Sequence, residues 1–343
     1  MTRQSSPFPF PRLAVTIAAI ASAFIFTGSA QAEALPKDVP PGTRLVVADQ
    51  NEALQTLMRA SGEHDGLAAE ATYANFLGGP AILEAFRAGA LDLASGGNVP
   101  PVQAQAAGET IPIVAAVATP ETDYIFAVRP ELVVNTFEEF KGKKIAYAEG
   151  SGRQAFVLKT LKLAGLTRED VELVPLRVAD FPDAIRSGQV DIAPLNEPHL
   201  SRYLADYADR KARVVPKSQH DRLPRAVSYL YASGRSLEDP TKAAAIRDFV
   251  SRWIVAKRWA YDNSEAWINA YHVGRQKLSA EQGRAIVESE GKPSFPVLSS
   301  LIDYQQGLVD IIHEAGDIPK RLDAKAEFDL RFDEVIAEAS RIN

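Results

Sequence analysis

Lys143-Lys144-Ile145-Ala146-Tyr147-Ala148-Glu149-Gly150-Ser151-Gly152-Arg153-Gln154-Ala155 is an apolar run, a glycine-bracketed polar turn and the opening of a helix that continues to Ala164. A short apolar stretch halted by glycine reads as a strand, and Gln154–Ala164 has the apolar spacing of a helix. Glycines in such a turn let the backbone approach a bound group closely. The helix start beyond them offers unpaired N–H donors and partial positive charge, which suit an oxyanion. The same residues spell G-x-G-x-x-A, a form of the dinucleotide fingerprint, with Asp170 or Glu172 as a possible ribose partner. Against that reading, the motif sits in the middle of the chain.

Strand-then-helix is the rule on both sides of this turn. Upstream, the strands Arg44–Ala48, Ala69–Phe76, Leu91–Ala94 and Ile111–Val117 alternate with the helices Glu52–Ala60, Pro80–Ala88 and Val99–Ala107. From Tyr124–Val128 the pattern restarts, with the strands Lys143–Ala148, Val171–Pro175 and Asp191–Leu195. The helices Phe137–Phe140, Gln154–Ala164, Asp180–Ser187 and Pro198–Tyr207 lie between and after them. Ala226–Ala232 is a further strand, placed to carry the chain back to the first unit, and everything from Thr241 on reads as helix. Alternation of this kind implies α/β architecture: two lobes with mixed, mostly parallel sheets, helices on their faces and a C-terminal helical segment. Crossings near 120–130 and 220–235 would join the lobes as a hinge that opens and closes.

Composition narrows the functional classes. With 343 residues, 46% hydrophobic and 24% charged, the chain is globular and long enough for two lobes. No cysteine is present, which removes disulfides, thiolate metal sites, cysteine nucleophiles and a lipid-modified N-terminal cysteine. A formal net charge of −6 gives no electrostatic reason to bind nucleic acid. Residues 1–32 read as a secretory signal: Arg3 and Arg12, the apolar run Leu13–Phe26, then Ala30-Gln31-Ala32 as the peptidase site. As a helix that run would span about 21 Å, short of the roughly 30 Å hydrocarbon core. Cleavage after Ala32 would remove both arginines and leave 311 residues of net charge −8, with the periplasm as destination. An exported protein meets little nicotinamide cofactor, which further weakens the dinucleotide reading.

Ligands of open α/β folds sit beyond the carboxyl ends of the strands. The candidate site residues are therefore those of the loops there: Gln50 and Asn51, then Ser95, Gly97 and Asn98, then Ser151, Gly152 and Arg153, then Asn196 and Glu197. Amides, hydroxyls, helix-start N–H groups and one arginine recur at one topological position. Taken singly, Ser, Asn and Asp before a helix are also ordinary N-caps, and Arg153 could be a solvated surface charge. The five histidines (His64, His199, His220, His272 and His313) show no metal-ligand spacing and fall outside these loops. No nucleophile elbow or paired carboxylates stand out, so no catalytic residue, metal or cofactor is assigned.

Several blocks resemble the substrate-binding proteins of ABC importers, in the nitrate/sulfonate/taurine (aliphatic sulfonate-binding) branch. They are Gly79–Asp92, Pro100–Gly108, Phe140–Ala146 with Gly150-Ser151, Leu163–Leu166, Ser187–Asp191 and Ile318–Asp323. The resemblance implies a periplasmic-binding-protein-like fold, with lobe I at 43–125 and 226–343 and lobe II at 126–225. It also implies a monomeric periplasmic receptor that gives a small solute to a membrane permease and its ATPase. Carried over by position, Gln50, Ser95, Asn98, Ser151 and Asn196 match cleft positions of that family. Where relatives have an aromatic-acidic-proline motif this chain has Asn196-Glu197-Pro198, and Asn98 replaces a common acidic residue. Both departures imply a solute with more hydrogen-bonding groups than a plain alkanesulfonate. The competing readings are an enzyme on the same scaffold, of the pyrimidine-synthesising type, and a sensory ligand-binding module.

Overall fold

β1 covers Arg44–Gln50, two residues more than the sequence indicates, so Asp49 and Gln50 end a strand instead of starting a loop. Its whole length pairs in parallel with β2 (Glu70–Phe76), and β3 (Leu93–Gly96) pairs on the other side. β4 (Ile113–Ala118) closes a first sheet whose order is β2-β1-β3-β10-β4, with β10 at Val227–Ala232. The second sheet uses β5 (Ile125–Val128), β6 (Lys144–Tyr147), β7 (Glu172–Pro175), β8 (Ile192–Leu195) and β9 (Arg213–Val214) in the order β7-β6-β8-β5-β9. The computed structural model describes residues 34–341 other than Glu121 and Asp123. The signal segment expected over 1–32 lies outside the described residues.

The two sheets share one plan. In each, four strands point one way and a single strand, β10 or β5, points back. Each reversed strand is the first one laid down after the chain crosses from the other sheet, at 119–124 and at 215–226. The sheets are thus mixed, and the carboxyl ends of β1 and β3 face the same interlobe cleft as those of β6 and β8. β9 is too short for an apolar period to announce it, and the sequence gives no sign of it.

Helices α1 (Ala53–Ala60), α2 (Gly79–Arg87) and α3 (Val99–Ala106) follow the strands of the first sheet. Helices α4 (Gly152–Leu163), α5 (Phe181–Ser187), α6 (His199–Asp206) and α7 (Lys217–His220) belong to the second. After β10 come α8 (Gly234–Glu238), the long α9 (Pro240–Asp262), α10 (Ser264–Trp267), a π-helical turn at Ile268–Val273, α11 (Ala280–Glu290), α12 (Ile302–Glu314) and α13 (Phe332–Ala339). The first core joins β1, β3, β4 and β10 to α9 and α13 through Leu45, Tyr231, Phe249, Trp253 and Phe332.

The second core has an unexpected membership. Leu308, Val309 and Ile312 of α12 and Val99 and Val102 of α3 pack with Phe126, Phe140, Phe156 and Leu161. α4 is buried on most of its faces, Arg153, Gln154 and Thr160 included, because it is covered by the second sheet and by α12. The segment 226–343, expected as part of lobe I, therefore serves both lobes. Behind the cleft the lobes are joined by packed core as well as by two crossings, and from Ala34 onward they form one compact unit.

Candidate functional site

On the first rim, Asp49 turns its carboxylate onto the start of α1. Its Oδ1 accepts the amides of Gln50 (2.7 Å) and Leu54 (2.9 Å), and its Oδ2 accepts that of Gln55 (2.8 Å). Burial pushes the Asp49 carboxyl up, against the lowering effect of those three bonds. The donors that the sequence suggests for an oxyanion are therefore filled by the chain itself at this helix. Asn51 and Glu52, both at φ 56°, adopt the left-handed conformation that brings the chain round into α1. Gln50 lies across the next strand end, its Nε2 donating to the Ser95 carbonyl at 3.2 Å.

On the second rim the glycine-bracketed turn has a different geometry. Gly150 sits at φ 74°, a value that favours glycine, and its amide donates to Gln154 Oε1 at 2.8 Å. The Ser151 hydroxyl donates to the Ala148 carbonyl at 2.6 Å and is buried, so it braces the turn. Arg153 is a buried cation, not a solvated one. Its guanidinium donates to Asn196 Oδ1 (2.6 Å) and to the Pro194 carbonyl (3.2 Å), and it lies 4.7 Å from the centre of the Tyr124 ring. Glu197 accepts the Ser201 amide at 3.2 Å and caps α6.

The rims touch. A Cβ built on Gly97 would stand 3.4 Å from Gly152 Cα, and one on Gly79 would stand 3.0 Å from the Gly150 carbonyl oxygen. Elsewhere on the cleft, Arg202 of α6 donates to the Gln276 carbonyl, just past the π-helical turn. The lobes also enclose a cavity of about 780 Å³ whose wall includes Gln50, Asn51, Ser95, Gly97, Arg153, Asn196 and Glu197. Seven of the ten candidates thus meet in one place. Asn98 and Gly152 face a side cavity of about 40 Å³, with Gly97 between the two. Asn98 is fixed from behind: its carbonyl accepts Gln305 Nε2 (2.9 Å), which also donates to Glu327 Oε2 (2.6 Å). Burial raises the Glu327 carboxyl to about 8.

Much of the wall comes from elements beyond the strand ends. Trp253 and Tyr261 of α9, Trp267 of α10, and Tyr271 and His272 of the π-helical turn all line the main cavity. Trp267 and Tyr271 stack at 4.8 Å with planes 13° apart. The expectation that the histidines lie clear of the site is corrected for two of them, because His220 and His272 both line the cavity. They arrive on α7 and the π-helical turn, which close the cleft from its sides. His220 Nε2 accepts the Phe126 amide (3.0 Å), and its Nδ1 lies 3.2 Å from the Pro216 carbonyl. Burial pulls its pKa down to about 4 and lowers those of His199 and His272 as well. Among the described residues no group of three or more His, Cys, Asp or Glu side chains could hold a metal ion.

Residues 78–252 match the profile of a family described as NMT1/THI5 like. A 133-residue stretch is 32% identical to a putative aliphatic sulfonates-binding protein of Escherichia coli (strain K12), covering 39% of this chain and 42% of that relative. Among solved structures, the alkanesulfonate-binding protein SsuA from Xanthomonas axonopodis pv. citri, bound to MOPS, superposes with a TM-score of 0.75 at 22% identity. That match covers 85% of this chain and 99% of SsuA. The desulfurization enzyme DSZB superposes with a TM-score of 0.62 at 16% identity, covering 87% of this chain and all of its own. Both likenesses speak for the bilobal fold.

Proposed function

Since the chain belongs to the NMT1/THI5-like family, we propose that it is the solute receptor of an ABC importer. It closes round a small anionic, sulfonate-like solute and passes it to a membrane permease driven by an ATPase. The observation that carries this reading is the convergence of Gln50, Ser95 and Gly97 from the first sheet with Arg153 and Asn196 from the second on one cavity. The sulfonate class is supported by the Escherichia coli relative, named for aliphatic sulfonates, and by the SsuA neighbour, which holds MOPS, itself a sulfonate. Lobe I would comprise 43–125 and 226–343, whose α12 also packs on lobe II (126–225), and the exported receptor would act as a periplasmic monomer. Among the described residues no helix is long and apolar enough to cross a membrane.

Arg153 supplies the charge-assisted contact to the anion, and its bonds to Asn196 and Pro194 hold it in place for that task. Gln50, Asn51 and Ser95 address the rest of the solute. Affinity comes from these aimed donors and from excluding water on closure, with no bond made or broken. A thermal-shift screen against sulfonates and other sulfur and nitrogen sources tests the reading, because a ligand bound only by the folded state raises the melting temperature. Arg153→Ala should weaken sulfonate binding at least about tenfold, the 1.4 kcal/mol scale of one charged contact. Unchanged affinity by calorimetry would remove Arg153 from the site.

An enzyme on this scaffold is the second reading, favoured by the likeness to DSZB and by His272, whose Nε2 has no hydrogen-bond partner among the described residues. His220 offers it nothing, since its Nε2 already holds the Phe126 amide. Recovery of the bound sulfonate intact after prolonged incubation, by mass spectrometry, decides for the receptor.

A further inference from the structure

The cavity is far larger than a bare oxyanion requires. Its volume is about 780 Å³, whereas a water molecule takes about 30 Å³ of liquid and a nitrate or sulfate only a few times that. Cavities of about 300–1,000 Å³ are the size that enclose ligands as large as drugs. Arg153, Asn196 and Gly97 come from strand ends and the α4 turn, with Tyr124 beside Arg153, while most of the aromatic side chains come from α9, α10 and the π-helical turn, where Lys257 and Gln276 lie among them.

Resting on the sulfonate-receptor reading, the geometry points to a solute in which an anionic head is joined to a flat aromatic body, the body lying against Trp267. Three observations support this. The buried Tyr271 stacks on one face of Trp267, with planes 13° apart and centroids 4.8 Å apart, and so holds the indole in place as a flat plate. Trp267 is only half-buried although it packs on the first core, and Tyr261 is 39% exposed, so aromatic surface is left uncovered on the cavity wall. Trp253, fully buried beneath Lys257 of the same helix, makes that wall stiff. A planar π-system matches a flat plate face to face and keeps its offset-stacking energy, whereas a flexible alkyl chain must freeze several bonds to cover the same area. A small solute such as a two-carbon sulfonate would leave the plate facing water.

The test is calorimetry on the purified protein with ethanesulfonate, octane-1-sulfonate and naphthalene-1-sulfonate. Naphthalene-1-sulfonate should bind at least about tenfold more tightly than either alkyl compound, and stacking should quench tryptophan fluorescence. Trp267→Ala should weaken naphthalene-1-sulfonate at least about tenfold and erase its advantage over the alkyl compounds, and Trp267→Phe should keep most of it. If Trp267→Ala does not fold, the ranking of the three ligands on the unaltered protein still decides. Octane-1-sulfonate binding as well as the naphthalene compound would overturn the aromatic body. Tight ethanesulfonate binding with rejection of naphthalene-1-sulfonate would also overturn it and leave the receptor reading intact. If none of the three binds, both readings fall.

Discussion

Asp92 and Asp191 end the two blocks Ala88-Gly89-Ala90-Leu91-Asp92 and Ser187-Gly188-Gln189-Val190-Asp191, and they do the same work in the two sheets. Asp92 accepts the Val46 amide (2.9 Å) and the Ser236 hydroxyl (2.7 Å) and pairs with Lys242. Asp191 accepts the Lys144 amide (3.0 Å) and the Arg129 guanidinium (2.7 Å). Each carboxylate ties a strand, β1 or β6, to the opening of its parallel neighbour two strands along the chain, β3 or β8. Asp92→Ala should cost about 2–3 kcal/mol of stability by urea unfolding, the penalty for orphaned buried donors, and leave solute affinity unchanged. The sequence shows such positions as motifs but not what each side chain does. The same holds for Asn98 and Asn196, which topology puts at strand ends and which line the side cavity and the main cavity respectively. One has its amide 3.5 Å from the Tyr304 hydroxyl, and the other receives the Arg153 guanidinium. Spacing along a chain does not encode the rotamer that decides this.

At the scale of elements, β5 and α7 are held together by a histidine that must stay neutral. The imidazole of His220 packs among Phe126, Phe137 and Phe156 and takes the Phe126 amide on Nε2, which protonation would abolish. Its folded pKa of about 4 lies below the ordinary 6.5, so between those values the unfolded chain binds more protons. The stability it contributes is full above about pH 6.5 and is lost as the pH falls toward 4. The His220 contribution to the unfolding free energy should fall by about 2–3 kcal/mol from pH 7 to 4.5. Glu327 opposes that fall, because its raised carboxyl favours the folded state as the pH drops. His220→Phe should therefore retain more of its stability over that range than the unaltered protein. Burial of His199 and His272 adds to the slope in the same direction. Strands and most helices were legible because their apolar periods are strong. The docking of α10, the π-helical turn and α11 over the cleft was not, since periodicity reveals that a helix has a buried face and is silent about what that face meets. Trp267 and Tyr271 are four residues apart and so share a helical face, but that spacing does not say that the face meets the cleft.

The whole molecule is two copies of one sheet plan facing each other across glycines. Gly79 is the test of that seam, because an added methyl would stand 2.9 Å from Pro100 Cγ and 3.0 Å from the Gly150 carbonyl oxygen on the opposite rim. Gly79→Ala should hold the rims apart and weaken the solute by about tenfold, on the 1–3 kcal/mol scale of an overpacked contact, with little change in melting temperature. The two-lobed architecture and both crossings could be read from alternation alone. The use of α12 by the second core could not, because its apolar stripe would pack equally well on either lobe. That placement of α12 has a mechanical result. With α3, α4 and α12 fused along one side, the molecule swings like a book on its spine. Spectroscopic labels at 202 and 276, on the fore-edge, must part widely when the covers open, while labels beside 158 and 309 barely separate and the radius of gyration hardly registers the turn of the page.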